Sequence, residues 1–179
     1  VAAFTVAAHR YAVENGKNFA GDVYVASVVH EECFEGVAAR KISAKVKPDY
    51  VVIGEASEMN LKVGQRGRAE IVVETFGVPA HSANPEMGVN AVYKMCEAIQ
   101  AIREIEPPVQ NKLGKGILEL TDVKSSPYPG ASVVPEYCRA TYDRRLLVGE
   151  TKESVLQPII EKMEELKKKD PQFSYKVSY

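Results

Sequence analysis

The stretch EYCRATYDRRLLVGETKESVLQPIIEKMEELKKKD, residues 136–170, decides the fold of the larger part of the chain. Its first part, residues 136–147, is typical of a β-strand, and residues 152–168 are typical of an amphipathic helix. One helical stripe carries the apolar side chains Leu156, Ile159, Met163 and Leu166. A strand followed directly by such a helix indicates a helix packed on a sheet.

The ends of this helix carry local signals. Thr151 is a suitable N-cap, and the sequence Asp170-Pro171 is expected to stop the helix. Pro158 disagrees with the pattern, because a proline inside a helix costs about 3 kcal/mol and is expected to start or kink the helix there.

The surrounding segments extend this pattern in both directions. We predict strands at residues 63–76, 116–124 and 172–177, and a helix at 87–106 whose apolar stripe is Val92, Cys96, Ile99 and Ile102. The resulting order is βαββαβ, the split ferredoxin-like pattern of an α+β domain.

The beginning of the chain follows a different pattern. Residues 1–15 favour a helix that stops at Gly16, and residues 22–29 and 50–53 are apolar runs typical of strands buried on both faces. A helix is predicted between these strands, up to about Val46. This alternation predicts part of a doubly wound α/β sheet in residues 1–60, followed by the ferredoxin-like domain in residues 61–179.

Composition excludes several classes of partner. The net charge is -1, from 23 basic and 24 acidic side chains, so no nucleic-acid or membrane-surface binding is expected. The apolar first residues are neither a secretion signal nor a membrane span. Three widely spaced cysteines, Cys33, Cys96 and Cys138, favour a reducing cytoplasm.

Acidic side chains follow the two predicted buried strands. Glu31 and Glu32 come directly after the first strand, and Glu55 follows the second, at the sheet edge where open α/β sheets bind ligands. One carboxylate could bind a divalent cation while its neighbour takes a proton from metal-bound water. The alternative is that Glu31 and Glu32 only stabilise the first turn of a helix.

Two further places could carry chemistry. His81 lies in the loop PAHSANP, residues 79–85, where a histidine is exposed and could act or could be structural. Asp143 and the arginines at 144 and 145 end a strand. An arginine there could bind a substrate carboxylate or pair with acids of its own domain.

Together, these motifs resemble the dizinc metallopeptidase and amidohydrolase family of aminoacylases, acetylornithine deacetylases, succinyl-diaminopimelate desuccinylases and carboxypeptidases. The ordered matches, which span essentially the whole chain, are His30-Glu31-Glu32, Gly54-Glu55-Ala56-Ser57, Gly64-Gln65-Arg66-Gly67, the segment GVPAHSANP at 77–85, Ser132-Val133-Val134-Pro135-Glu136 and Asp143-Arg144-Arg145.

The resemblance implies a role for each matching residue. Glu31 would be the general base or acid, and Glu32 and Glu55 would bind the two metal ions. His81 would reach into the partner subunit's site and stabilise the oxyanion. Arg145 would bind the substrate carboxylate. Ser132 stands where the family has a substrate-binding asparagine, and we expect it to contact substrate.

The resemblance also implies hydrolysis of an amide or peptide bond in a small N-acyl amino acid or peptide, by a homodimer that pairs through the lid domain, here residues 61–179. The cofactors would be two Zn²⁺ ions, or Co²⁺ or Mn²⁺. Upstream and downstream metal ligands of the family have no counterpart here, so we expect an internal, inactive fragment that holds little or no metal. The alternative is a non-catalytic dimerisation or small-ligand-binding module.

Overall fold

The computed structural model describes residues 1–16, 18–32 and 36–179 of the chain. One residue discussed above, Cys33, lies outside this part. The described chain forms two compact units, Val1–Lys62 and Val63–Tyr179, and each is treated by itself. The sequence prediction divided the chain between residues 60 and 61.

The first unit contains two helices, α1 (Ala2–Glu14) and α2 (Val37–Val46). After α1 the chain turns through Gly16, whose φ of 55° is the left-handed conformation that glycine adopts without strain. Glycine also precedes α2, where Gly36 has a φ of 75°. The prediction that the first helix stops at a glycine is therefore confirmed.

The structure differs from the sequence prediction at the two strands expected in this unit. Residues 22–29 and 50–53 form no strand in the structure, and the described residues of the first unit form no sheet. Their apolar side chains are exposed, for example Tyr24 at 63% and Ile53 at 72%. A buried strand needs neighbours that pair with its backbone and cover its faces, and an apolar run does not provide them.

The second unit has the predicted βαββαβ order. Its main elements are β1 (Gly67–Phe76), α3 (Ala91–Arg103), β4 (Ile117–Ser126), β5 (Tyr137–Leu146), α4 (Lys152–Lys169) and β6 (Ser174–Ser178). The four strands form one antiparallel sheet in the order β4-β5-β1-β6. A short hairpin of β2 (Val109–Gln110) and β3 (Gly114–Lys115) and a 3-10 helix at Pro85–Met87 complete the unit.

One face of this sheet is covered by α3 and α4. Along β1 and β5 every second side chain is buried towards the helices, including Ile71, Val73, Ala140 and Tyr142. The opposite face carries mainly charged and polar side chains. We call it the open face of the sheet.

The helices confirm one predicted stripe and shift the other. In α4 the side chains Leu156, Ile159 and Met163 are buried as predicted. The buried residues of α3 are instead Ala91, Met95, Ala98 and Ile102, so only Ile102 of the predicted stripe is buried. The alanines allow α3 to lie close to the sheet. The prediction missed this face because it considered only large apolar side chains.

The start of α4 is fixed by a capping box. The Thr151 hydroxyl accepts a hydrogen bond from the Ser154 backbone N–H, and the Ser154 hydroxyl accepts one from the Thr151 N–H. The helix runs through Pro158 rather than starting there. No helix in the described residues is long and apolar enough to cross a membrane.

We expect Phe173→Ala to destabilise the second unit by about 3 to 5 kcal/mol, because Phe173 is fully buried in its hydrophobic core. Urea unfolding followed by circular dichroism measures the change. The matched control is Val148→Ala at a position that is 77% exposed, with a change within about 0.5 kcal/mol. An equal effect of both substitutions would contradict this packing.

Candidate functional site

The loop that carries His81 is closed by two glycines and a short backbone ladder. It runs from the end of β1 to the start of α3, and Val78 and Val89 exchange backbone hydrogen bonds of 2.9 Å across its base. A Cβ atom on Gly77 would lie 2.0 Å from the Val89 carbonyl oxygen, and one on Gly88 would lie 2.7 Å from the Val78 oxygen. Only glycine fits at these two crossings.

The segment that precedes β5 lies alongside this loop. The Val134 N–H donates to the Ala80 carbonyl at 2.8 Å, and the Ser82 N–H donates to the Ser132 carbonyl at 3.0 Å. Ser132 has a φ of 60°, and its neighbour Val133 pairs with His81 as an isolated β-bridge. The structure therefore brings His81 and Ser132, two predicted site residues, into neighbouring strands of backbone.

The His81 ring has a defined hydrogen-bond direction. Its Nδ1 accepts a hydrogen bond of 3.1 Å from the Ala83 backbone N–H, so in the neutral ring the proton lies on Nε2. The residue is exposed. An exposed imidazole whose N–H lies on Nε2 can donate a hydrogen bond to a bound molecule.

The start of α3 anchors the far end of the loop. The buried Thr75 hydroxyl donates to the Ala91 carbonyl at 2.8 Å, and the Asn90 side chain caps the helix by accepting from Val92 N–H at 2.9 Å.

A cavity of about 360 Å³ lies beside the loop and is bordered by Ser82, Tyr93 and Lys94, among others. Lys94 is held by an ion pair with Asp170.

The two arginines at the end of β5 have different surroundings. Arg144 is only 4% exposed and forms an ion pair with Glu150, which also accepts the Leu147 backbone N–H at 2.6 Å. Arg145 lies on the open face, where its Nε donates to Asp143 at 2.8 Å. Arg144 therefore serves the fold, and Arg145 is the arginine available for a ligand.

A residue that the sequence interpretation missed lies next to Arg145. Arg68 of β1 is opposite Arg145 in the sheet register, and its Nε donates to the other oxygen of Asp143 at 2.6 Å. Asp143 thus holds two guanidinium groups. No sequence signal relates positions so far apart in the chain, and only the pairing of β1 with β5 reveals the neighbourhood.

Arg145 and His81 lie at opposite ends of the sheet. Arg145 is opposite Arg68 near the start of β1, whereas the His81 loop follows Phe76 at its end. Eight residues of strand, roughly 26 Å at about 3.3 Å per residue, separate the two ends. The structure does not bring these two predicted site residues together within one chain.

The predicted metal ligands belong to the first unit. Glu31, Glu32 and Glu55 are exposed there. Across residues 1–16, 18–32 and 36–179, no group of three or more histidine, cysteine, aspartate or glutamate side chains is placed to hold a metal ion. As they are placed, the described residues do not fit a two-metal site, and ligation by Glu32 and Glu55 stays a prediction.

Comparison with known proteins places the second unit in a family. Residues 63–171, more than half of the chain, match the model of the peptidase dimerisation domain, M20_dimer. The chain belongs to the M20 peptidase dimerisation domain family. The resemblance that the sequence motifs indicated is thereby confirmed.

Two relatives of this M20 chain are similar to it in sequence, and the first aligns over a longer stretch than the dimerisation domain itself. It is 33% identical to the uncharacterized protein YgeY of Escherichia coli strain K12 over 139 residues, 75% of this chain and 34% of that protein. It is 35% identical to acetylornithine deacetylase of Vibrio vulnificus over 85 residues, 46% of this chain and 22% of the enzyme. The M20 chain therefore spans about a third of the length of the first of these relatives.

A solved structure shares the fold of part of this M20 chain. The aminobenzoyl-glutamate utilization protein of Klebsiella pneumoniae matches with a TM-score of 0.50 and 18% identity over 63% of this chain and 28% of that protein. At this identity the match shows the fold alone.

We expect Gly77→Ala to destabilise the dimerisation domain by about 1 to 3 kcal/mol, because the new methyl group meets the Val89 carbonyl at the base of the His81 loop. Urea unfolding measures the loss. Gly64→Ala is the matched control, since a Cβ there meets nothing within 4 Å. Equal stability of the Gly77→Ala variant and the wild type would show that the loop base is not tight.

Proposed function

We propose that the whole protein to which this chain belongs is a metal-dependent hydrolase of amide or peptide bonds in small N-acyl amino acids or peptides. In this proposal the second unit is a dimerisation lid that supplies His81, Ser132 and Arg145 to the substrate. The observation that carries the proposal is the separation of His81 from Arg145 within one chain. The resemblance motifs and the family of the chain support the chemistry.

The role proposed for His81 is to stabilise the oxyanion of the tetrahedral intermediate. Its Nδ1 accepts the Ala83 N–H, which leaves the Nε2 proton for a substrate oxygen. A donor held in place before the reaction stabilises developing negative charge without reorganising. Ser132, fixed beside the same loop through its carbonyl, is proposed to contact the substrate with its hydroxyl.

The role proposed for Arg145 is to bind the substrate carboxylate. Its Nε is engaged by Asp143, and its two amino groups have no hydrogen-bond partner among the described residues. Two parallel N–H donors match the two oxygens of a carboxylate. The sequence left open whether Arg145 serves a ligand or an acid of its own domain, and this arrangement permits both at once.

A single small substrate cannot touch His81 and Arg145 of the same chain. They are separated by roughly 26 Å of strand, whereas a dipeptide spans at most about 7 Å. If both residues contact substrate, they therefore serve different active sites. We infer that each site takes Arg145 from one subunit and His81 from its partner.

The surface proposed for dimerisation is the outer edge of β4 with the adjoining side of α3. The edge strand β4 is ten residues long and pairs on one side only, with β5. Its helix-side residues Leu118 and Leu120 are only partly buried, and Val123 is 45% exposed. An apolar edge strand of this length is a ready surface for a second copy of the chain.

The carboxylates of the first unit keep the roles that the resemblance implies. Glu31 is proposed to transfer the proton, and Glu32 and Glu55 are proposed to bind metal ions in the whole protein. The free thiols Cys96 and Cys138 support the proposed cytoplasmic location.

A non-catalytic dimerisation or ligand-binding module is the second candidate. The observation in its favour is that the second unit has its own hydrophobic core. The whole protein distinguishes the candidates. Hydrolysis of N-acetyl or N-succinyl amino acids or dipeptides that disappears on chelation supports the enzyme, and no hydrolysis with Zn²⁺, Co²⁺ or Mn²⁺ supports the module.

We expect subunit complementation between two inactive variants of the whole protein. His81→Ala and Arg145→Ala homodimers each lose activity, because each lacks one substrate contact in both sites. Mixed dimers regain activity, since one of their two sites has an intact His81 from one subunit and an intact Arg145 from the other. Hydrolysis rates measured after unfolding and refolding the mixture test this.

The control mixes His81→Ala subunits with a second preparation of the same variant, which must stay inactive. If mixed His81→Ala and Arg145→Ala dimers also stay inactive, although native mass spectrometry shows that they have formed, the two residues do not serve sites shared between subunits.

We expect Val123→Lys to weaken dimerisation by roughly tenfold or more, because a charge replaces an apolar contact at the edge of β4. Sedimentation velocity over a range of concentrations measures the dimer dissociation constant. Val109→Lys, at a position that is 69% exposed in the short hairpin, is the control and leaves the constant unchanged. An unchanged constant for Val123→Lys would exclude this edge as the interface.

A further inference from the structure

A row of charged side chains crosses the open face of the sheet near the end that carries the His81 loop. The register places Lys124 of β4, Arg139 of β5, Glu74 of β1 and Lys176 of β6 side by side. Arg139 lies between Cys138 and Ala140, which are buried against the helices, so its own side chain is on the opposite face. The row thus contains three cations and one carboxylate.

The single carboxylate of the row is already engaged. Glu74 forms an ion pair with Lys176 at 3.4 Å and accepts a hydrogen bond of 2.7 Å from the Tyr137 hydroxyl. Burial and the neighbouring Glu74 raise the pKa of Tyr137, so this hydroxyl keeps its proton. Arg139 and Lys124 are therefore left without neutralisation from within the row.

Among the described residues outside the row, one weak ion pair reaches these two cations. Arg139 Nη2 lies 3.7 Å from Glu70, and both side chains are about half exposed, at 45% and 53%. Lys124 has no ion pair or side-chain hydrogen bond within the described part of the chain. Like charges directly opposite each other in a sheet destabilise it, so the Lys124–Arg139 pair favours an anion between its members.

A cavity lies at this pair. It has a volume of about 260 Å³ and is lined by Asp122, Lys124, Ser125, Ser126, Tyr137 and Arg139. Its charged lining side chains are two cations and one carboxylate. Ser126 lies opposite Tyr137 in the register, on the same face as the two cations, so its hydroxyl can donate a further hydrogen bond.

We propose that Lys124 and Arg139, with Ser126, form a binding site for a small oxyanion, either a carboxylate or a phosphate group. The guanidinium of Arg139 supplies paired N–H donors, and the Lys124 ammonium supplies a point charge from the neighbouring strand. The site is distinct from Arg145, which lies at the other end of β5. It does not depend on the proposed hydrolysis, because binding can be measured without catalysis.

The test is a titration of the ¹⁵N-labelled chain with sodium acetate and, separately, with sodium phosphate. Ionic strength is held constant with sodium chloride, and backbone and arginine side-chain signals are followed by NMR. We expect saturable shifts at residues 122–126 and 137–139 with a dissociation constant on the order of millimolar. The ligand that saturates first identifies the preferred anion, and saturation by neither overturns the proposal.

Three variants decide whether these side chains form the site. Lys124→Gln and Arg139→Gln are each expected to bind roughly tenfold more weakly, because each removes a charged hydrogen-bond donor. Glu70→Gln is expected to bind several times more tightly, since it removes the carboxylate that competes for Arg139. A substitution that only damages the fold cannot produce such a gain.

The control is Lys152→Gln, an exposed lysine at the start of α4, which leaves binding unchanged. An equal loss in this control would show that the anion responds only to overall charge, and would overturn the site. Unchanged binding in Arg139→Gln, or weaker binding in Glu70→Gln, would overturn it as well.

Discussion

The antiparallel pairing of β1 with β5 is the constraint on which the second unit depends. All ten residues of β1 have a partner on β5, from Gly67 opposite Leu146 to Phe76 opposite Tyr137. The strict alternation of side chains turns Ile71, Val73 and Ala140 towards the helices and leaves the charged residues on the open face. A shift of one residue in this register would exchange the two faces and destroy the core.

The same pairing separates the candidate functional residues into two ends. The His81 loop continues from β1 at the end where β5 begins, and the close crossings at Gly77 and Gly88 hold it there. At the other end, Asp143 holds Arg68 and Arg145 together. A rigid sheet of ten-residue strands keeps these ends apart, which is the physical reason for proposing that two subunits share a site.

Predictions from the sequence succeeded where the signal was local. The order of strands and helices along the second unit follows from periodicity, and the end of α4 follows from Asp170 and the proline after it. The prediction chose the wrong face of α3, because the face buried against the sheet includes the small residues Ala91 and Ala98. The strands predicted at residues 22–29 and 50–53 did not form, because a strand depends on partners elsewhere in the chain.

The sequence by itself determined the family, the βαββαβ order and the loop position of His81, since motifs and periodicity are written in neighbouring residues. It could not tell that Arg144 is buried and Arg145 half-buried on the open face, and it gave no sign of Arg68 or of the pair Lys124 and Arg139. These were decided only by tertiary structure. Strand register joins residues dozens of positions apart, and only the packed sheet specifies which side chains become neighbours.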